Sequence, residues 1–400
     1  MINNTKSTHL IIEVYGAKHL DDIKYIENVL KKCVSVANAT LLNIKLHKFQ
    51  PKGVSGVAIL AESHISIHTW PEHEYAAIDI FMCGKTKPEK CVDVLNKAFE
   101  CEKIEVNKLL RGKGNRWFSE TLFKNQGLNV NYKSDSVVFE SKTKYQNIVL
   151  FKNKIFGKML MIDGAVQTTS KDEFIYHEMM AHVPIFSHGN VESVLIIGGG
   201  DCGIAKQVLK HKSIKNVTQV EIDPSMIDLA KKHFPEFTKS VFSDNKFISI
   251  IEDGMKYVSN TDQKFDIIIV DSTDPKGPGK KLFTKKFYQN CKKCLTRGGI
   301  IVTQNGVPIL QSKQLSNTLS DLKSFFKDVS CYVISVPTYY GGHMTIGFAS
   351  DNKQLRKISE KKLISLYKKS GNIETYYWTP KIHLSSFVLP KFIQNIVNGD

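Results

Sequence analysis

Val194-Leu-Ile-Ile-Gly-Gly-Gly-Asp-Cys-Gly203 is a short apolar run that breaks into a glycine turn. Val194–Ile197 has the length and branching of a buried strand, and Ile204–His211 after the turn has helical periodicity. The same alternation continues outward. Val217–Glu221 fits a strand, Ser225–His233 a helix, and Phe247–Ile251 and Phe265–Val270 two more strands. Strands alternating with helices predict a parallel, doubly wound sheet covered on both faces. Upstream, Leu128–Thr169 is strand-rich. Further upstream, strands are expected at His9–Tyr15, Thr40–Leu46, Val57–Ile67 and Ala76–Met82, with helices at Asp21–Ala37 and Pro88–Phe99. Basic, glycine-rich Arg111-Gly-Lys-Gly-Asn-Arg116 separates this first unit from the rest and reads as a linker.

The expected fold is therefore a two-layer α+β domain, then a small β-rich domain, then an α/β doubly wound, Rossmann-like domain. The boundaries fall at 1–112, 113–180 and 181–400. A chain of 400 residues is long enough for two or three cores. No apolar run approaches the roughly 18–20 residues of a membrane span, and residues 1–6 show no secretory pattern, so a cytoplasmic protein is expected. The eight cysteines are scattered. Cys291-Lys-Lys-Cys294 lies in a helical context without a second pair or a nearby histidine, so no metal site is expected. The net charge of +16 raises the question of a nucleic-acid partner. The lysines are dispersed rather than grouped with aromatics, which favours a solvated basic surface, with no nucleic acid and no membrane as partners.

Gly198, Gly200 and Gly203 satisfy G-x-G-x-x-G after a strand and before a helix, and Glu221 ends the next strand. That is formally a dinucleotide fingerprint. Asp201 inside the turn argues against it, because a carboxylate there would face a pyrophosphate. A cationic ligand suits the loop better. More acids follow at successive strand ends: Glu221 and Asp223, Asp253, then Asp271 and Asp274. In a doubly wound sheet these ends converge on a cleft, so an acid-lined site for an amine is expected.

The loop and acids resemble those of spermidine synthases. So do Tyr145-Gln-Asn-Ile148, Met161–Met180, Pro337-Thr-Tyr-Tyr-Gly-Gly342 and the Pro380–Phe387 tail. The resemblance implies a methyltransferase-type fold and transfer of an aminopropyl group from decarboxylated S-adenosylmethionine to putrescine. Asp271 would be the base, helped by Tyr176 and Tyr339, with Asp274 on the diamine. Gln146, His177 and Asp201 would hold the aminopropyl donor, Glu221 its ribose and Asp253 its adenine. The family loop usually carries glycine where this chain has Cys202. If the position needs positive φ, a cysteine is strained there, and a small side chain turned away from the ligand is expected to be harmless.

In the first unit, Gly53–Glu72 gathers hydroxyls, histidines and acids in one strand-like run. Alternation puts Ser63, Ile65 and Ile67 on one face, and His64, Ser66 and His68 on the other. Neither H-E-x-x-H nor G-x-S-x-G is present. Ala61-Glu-Ser-His-Ile-Ser-Ile-His-Thr-Trp-Pro-Glu72 and Ala76–Gly84 resemble the bacterial and archaeal S-adenosylmethionine decarboxylases over residues 7–110. That resemblance implies self-cleavage between Glu62 and Ser63, leaving a pyruvoyl group derived from Ser63 as the cofactor, with neither metal nor pyridoxal phosphate. The group forms a Schiff base with the substrate amine and acts as electron sink. Ser55 and His68 would assist processing, Cys83 would protonate the carbanion, Phe49 would stack on adenine and Glu72 would contact the nucleoside. Both families form oligomers, and the decarboxylase site is built between subunits.

A bifunctional enzyme follows, with S-adenosylmethionine, decarboxylated S-adenosylmethionine and putrescine as its small molecules and a homo-oligomer as its assembly. Three alternatives stand beside it. The first half could act on arginine or ornithine, the chain could be a nucleoside-dependent methyltransferase that binds nucleic acid, or either half could be a dead scaffold for the other.

Overall fold

In the computed structural model, residues 7–111, 116–274, 277–340 and 342–399 are described. Residues 112–115 of the expected linker lie outside them. Two compact units emerge, Met1–Phe118 with Lys133–Ser136, and Ser119–Tyr132 with Val137–Asp400.

The first unit is a six-stranded sheet in the order Leu41–Lys48, Val54–Leu60, Ser63–Trp70, Tyr75–Cys83, Ser7–Tyr15, Lys103–Arg111. Every neighbouring pair is antiparallel. Alternate residues Leu10, Ile12, Val14, Ile65, Ile67, Ile78 and Ile80 point into one core with the apolar stripes of helices Ile23–Val36 and Lys90–Phe99. The first helix starts at Asp22, whose carboxylate accepts the N–H groups of Lys24 and Tyr25.

The Val57–Ile67 run, expected as one strand, is two. The chain reverses at Ala61-Glu62, and Leu60 pairs with Ser63. The turn carries no local signal, because it holds no Gly, Pro, Asn or Asp. Its stabilisation is distant in sequence: Ala61 N–H donates to Thr40 O at 3.0 Å, and Thr40 N–H donates to Glu62 Oε2 at 2.8 Å.

The second unit holds a four-stranded sheet ordered Ala165–Thr169, Gly157–Ile162, Asn147–Asn153, Ser136–Lys142. Its main sheet has seven strands, ordered Phe247–Ile251, Asn216–Glu221, Ser193–Gly198, Phe265–Asp271, Leu295–Gln304, His343–Ser350, Asp328–Ser335. The first five are parallel and the last two join antiparallel. Ser193–Gly198 is continuously buried from Val194 to Ile197, as a strand covered on both faces must be. Strand order reverses beside it, and there Gly198 pairs with Asp271. A site at that switch point is what the architecture provides.

Candidate active sites

The glycine loop is shaped by what crowds it. Gly198 has φ +86, and a Cβ there would lie 1.9 Å from the Asp271 carbonyl oxygen. At Gly200 a Cβ would meet Met226 and the Glu221 carboxylate, and at Gly203 it would sit 2.0 Å from the His177 ring. The first glycine brings the two strand ends together and the third makes room for an imidazole. Cys202 has φ +66 and caps helix Gly203–Leu209. Its side chain is fully buried in the apolar core rather than in the cleft, so the positive φ is real and the thiol faces away from the site.

One cavity in this unit is lined by Gln146, Tyr176, His177, Asp201, Glu221, Asp253, Asp271, Asp274 and Tyr339. All the residues expected in the transferase site therefore share it. Tyr176 and His177 come from helix Glu173–His188, and the acids come from strand ends and the loops after them. Asp223, grouped with the rim acids on sequence, does not line the cavity. It is buried, caps helix Pro224–His233, and accepts from Gln146 Nε2 at 3.1 Å and Thr143 Oγ1 at 2.8 Å.

The charges in the cavity are set by burial and neighbours. Burial, reinforced by Asp201, lifts the Asp271 carboxyl to about 6 against the opposing hydrogen bond from Tyr176. Burial lifts Glu221 to about 7. His177 is the exception. Burial opposes its cation, but Asp201 at 3.2 Å and Glu173 at 2.5 Å outweigh burial and hold it well above the ordinary histidine value. Asp201 feels the same pair from the other side. Burial pushes it up, yet His177 and the Gly203 N–H bring it below the usual carboxylate range. Tyr339 donates to Gln167 O at 2.7 Å and meets Tyr176 edge-on. Asp253 caps helix Gly254–Asn260 through the Met255 N–H and pairs with Lys281 at 3.2 Å.

Four further residues belong to this site or its frame. Glu173 was not among the expected residues, although an acid four residues before His177 on a helix shares its face and is a signal for it. Gln311 donates to Asp274 Oδ1 at 2.5 Å. Gln304 lines the cavity with a buried, unpartnered Oε1. Glu120 also lines it, raised by burial to about 8, with Oε1 accepting from Val166 N–H and Oε2 buried without a partner. Nothing in sequence marks these last three, because only the folded chain brings them to the acids.

In the first unit, the Glu62–Ser63 peptide sits at the hairpin turn. Ser63 has φ +137, a conformation L-residues rarely adopt, which stores of order 1–3 kcal/mol. Glu62 O accepts from Cys83 N–H at 3.0 Å, and Ser63 Oγ lies 3.2 Å from His64 Nδ1. A strained serine beside a fixed carbonyl fits the precursor of a serine-derived pyruvoyl group. Ser55 Oγ and His68 Nδ1 are 2.8 Å apart as cross-strand partners. Both lie five ladder positions from Ser63, about 17 Å along the strand. Within one chain the cleavage site and this pair are therefore apart. Phe49 is exposed and meets His47 edge-on, and Glu72 lies in the short helix Pro71–His73.

A doubly wound sheet whose glycine loop and strand-end acids line one cavity at the switch point has the architecture of an α/β ligand-binding enzyme with a site suited to cationic groups. The comparisons agree. Residues 173–360 match the spermine/spermidine synthase domain, and residues 116–170 match the spermidine synthase tetramerisation domain. A polyamine aminopropyltransferase of Klebsiella pneumoniae subsp. pneumoniae is 44% identical over 265 residues, covering 66% of this chain and 92% of that protein. One from Buchnera aphidicola subsp. Acyrthosiphon pisum is 47% identical over 264 residues, covering 66% and 92%. A spermidine synthase solved with the transition-state analogue AdoDATO superposes with a TM-score of 0.67 at 32% identity, covering 72% of this chain and 98% of that one. The spermidine synthase from Thermotoga maritima gives 0.66 at the same identity and coverage. The chain belongs to the polyamine aminopropyltransferase (spermidine synthase) family. Residues 8–112 match the S-adenosylmethionine decarboxylase family, so the chain is a fusion of the two, a bifunctional enzyme of spermidine biosynthesis. Among the described residues no helix is long and apolar enough to cross a membrane.

Proposed function

We propose that residues 1–112 make decarboxylated S-adenosylmethionine and that the remainder, 113–180 with 181–400, consumes it with putrescine to give spermidine and methylthioadenosine. The observation that carries this reading is the buried acid cavity around Asp271, on a chain whose first unit matches a decarboxylase.

In the first unit, Ser63 Oγ attacks the Glu62 carbonyl, whose position the Cys83 N–H fixes. Elimination from the resulting ester frees the Glu62 carboxylate and leaves a dehydroalanine, whose imine form takes up water and loses ammonia to give the pyruvoyl group; its ketone would supply the sink for the electron pair left on the substrate carbon when CO₂ departs. Ser55 and His68 assist the cleavage, and Cys83 returns a proton to the substrate carbon. Phe49 and Glu72 receive the nucleoside. The roughly 17 Å between Ser63 and His68 along one chain favours a site completed by a second copy.

In the second unit, Asp201, His177 and Gln146 hold the donor's aminopropyl arm, Glu221 the ribose and Asp253 the adenine. Asp274 binds the diamine. A protonated amine cannot attack carbon, so Asp271 first takes a proton from it, oriented by Tyr176 and Tyr339. The nitrogen then displaces methylthioadenosine from the carbon next to sulfur. An acid cavity draws in two cationic substrates despite the basic surface.

One incubation with S-adenosylmethionine and putrescine, read by mass spectrometry, tests the sequence of steps. Spermidine and methylthioadenosine should appear together, with CO₂ released. Spermidine only when decarboxylated donor is supplied, alongside agmatine from arginine or putrescine from ornithine, would reassign the first unit. A methylated nucleic acid would reassign the second.

A further inference from the structure

We propose that Glu173 is a positioning residue of the transfer site: by accepting the Nδ1–H of His177 it fixes that ring as a double donor, which in turn fixes Asp201. The inference deepens the reading in which Asp201 holds the donor's aminopropyl arm, giving His177 its part in that site through Asp201, and it rests on that reading.

The geometry is closed on every side. Glu173 Oε2 lies 2.5 Å from His177 Nδ1, and Asp201 Oδ2 lies 3.2 Å from Nε2. An ionised carboxylate only accepts, and a neutral imidazole has one N–H to give. A carboxylate at each nitrogen therefore requires both nitrogens to be protonated. Asp201 is gripped at both oxygens, since Oδ1 accepts the Gly203 N–H at 2.9 Å. Its orientation toward the cavity is thus set by a backbone amide on one side and by the ring on the other.

The ring has no freedom to turn away. Position 203 carries no Cβ, and one there would lie 2.0 Å from the ring. Phe237, from helix Pro235–Ser243, meets it edge-on at 5.8 Å, and Tyr176 lies at 6.0 Å. The titratable groups facing the ring are Glu173 and Tyr176 from its own helix and Asp201 from the glycine loop. Lys206 Nζ, from helix Gly203–Leu209, stands over the Phe237 ring. Asp271 acts on the ring from the neighbouring strand end. Glu173 does not line the cavity, so its effect on the reaction passes through His177.

The test compares wild type, Glu173→Gln and Glu173→Asp in the full chain, with decarboxylated S-adenosylmethionine and putrescine supplied, from pH 6 to 9. Any change in donor KM from Glu221, raised by burial to about 7, is shared by wild type and variants, so the wild-type donor KM at each pH is the reference. Glu173→Gln should match it within about threefold at pH 6, and its donor KM should rise about tenfold by pH 8 as the ring loses its proton. The change should fall on KM more than on kcat, and Glu173→Asp should restore most of it. Ring ¹⁵N shifts of His177, assigned with His177→Asn, should show the imidazolium persisting in wild type and titrating in Glu173→Gln. A Glu173→Gln profile parallel to wild type, or unchanged ring titration, overturns the proposal. If Asp201→Asn leaves donor KM unaltered, the donor-binding reading fails, while the ring titration still decides the role of Glu173. Should Glu173→Gln not fold, the same titration is read on Glu173→Ala, which also removes the carboxylate.

Discussion

Tyr176 donates its phenolic proton to Asp271 Oδ1 at 2.7 Å, and both side chains are held where two strand ends meet. The phenol is held well above its ordinary value, chiefly by burial, so it stays a donor while Asp271 gains and loses a proton. The bond leaves Oδ2 of Asp271 free of this donor.

The first prediction concerns pH. A base works when deprotonated, and burial places the Asp271 carboxyl at about 6. Transfer measured as kcat/KM should therefore rise as pH increases through about 6 and level off above it. Asp271→Asn should lose roughly 10²–10⁴-fold in transfer while CO₂ release from S-adenosylmethionine continues. An acid limb near 4, or an Asn variant with near-normal transfer, would remove Asp271 from the role of base.

Processing gives the second prediction. Purified chain should separate under denaturing conditions into a short piece ending at Glu62 and a long piece carrying the synthase. Ser63→Ala should stay whole and release no CO₂, yet transfer normally on supplied donor. Because His68 lies about 17 Å from Ser63 in its own chain, complementation is expected. Co-expressed Ser63→Ala and His68→Ala chains should yield cleaved His68→Ala chains, which neither variant gives alone. Absence of cleavage in the mixture would place the site within one copy.

Much of this was legible in the sequence because its signals are local. The Val194–Gly203 run, and the acids at successive strand ends with Asp271 among them, follow from strand length, turn glycines and the rule for parallel sheets, whereas the pairing of Gly198 with Asp271 needs the strand order. The Ala61-Glu62 turn was not legible, since Thr40 holds it across the sheet. Asp223 has the sequence signature of its neighbour Glu221 but serves as a cap, a difference that a strand end alone does not encode. Glu120, Gln304 and Gln311 reach the acids only through tertiary packing.

Cys202 supplies a third prediction. Its φ of +66 favours glycine, while its buried thiol fills core space. Relief of about 1 kcal/mol of backbone strain and loss of about 1 kcal/mol of burial nearly cancel for Cys202→Gly. The thermal midpoint should move by no more than a few degrees, with transfer kinetics unchanged within about twofold. Cys202→Val, β-branched at positive φ, should lower the midpoint clearly. A Cys202→Gly variant that loses transfer would show that the thiol acts on the site after all.

Gly203→Ala carries the fourth. The added methyl would lie 2.0 Å from the His177 ring and cannot be absorbed by a flexible chain end. The ring must swing out, taking the Asp201 contact with it, and transfer should fall at least tenfold with donor KM raised. Decarboxylation should be untouched. Normal donor KM in this variant would contradict the role of the third glycine as a seat for the imidazole.

Glu178 stands one residue beyond His177 and carries the last prediction. It is fully buried, and its carboxylate accepts three backbone N–H groups from the C-terminal segment: Tyr376 at 2.7 Å, Tyr377 at 2.9 Å and Trp378 at 2.8 Å. Trp378 then stacks on Phe186 of the same helix at 4.4 Å, and its indole N–H donates to the buried His383. One side chain thus anchors the tail to the helix that carries Tyr176 and His177. Glu178→Gln keeps the shape but replaces an acceptor oxygen with an NH₂, which must face backbone donors. Leaving one or two buried N–H groups unsatisfied costs about 2–3 kcal/mol, or roughly 4–12 °C in thermal midpoint for a unit of this size. Limited proteolysis should then open the chain between the helix Glu360–Lys369 and Tyr376, at a temperature where wild type resists. An unaltered midpoint together with an uncut tail would mean that Trp378 and its aromatic neighbours, rather than the carboxylate, hold the segment in place.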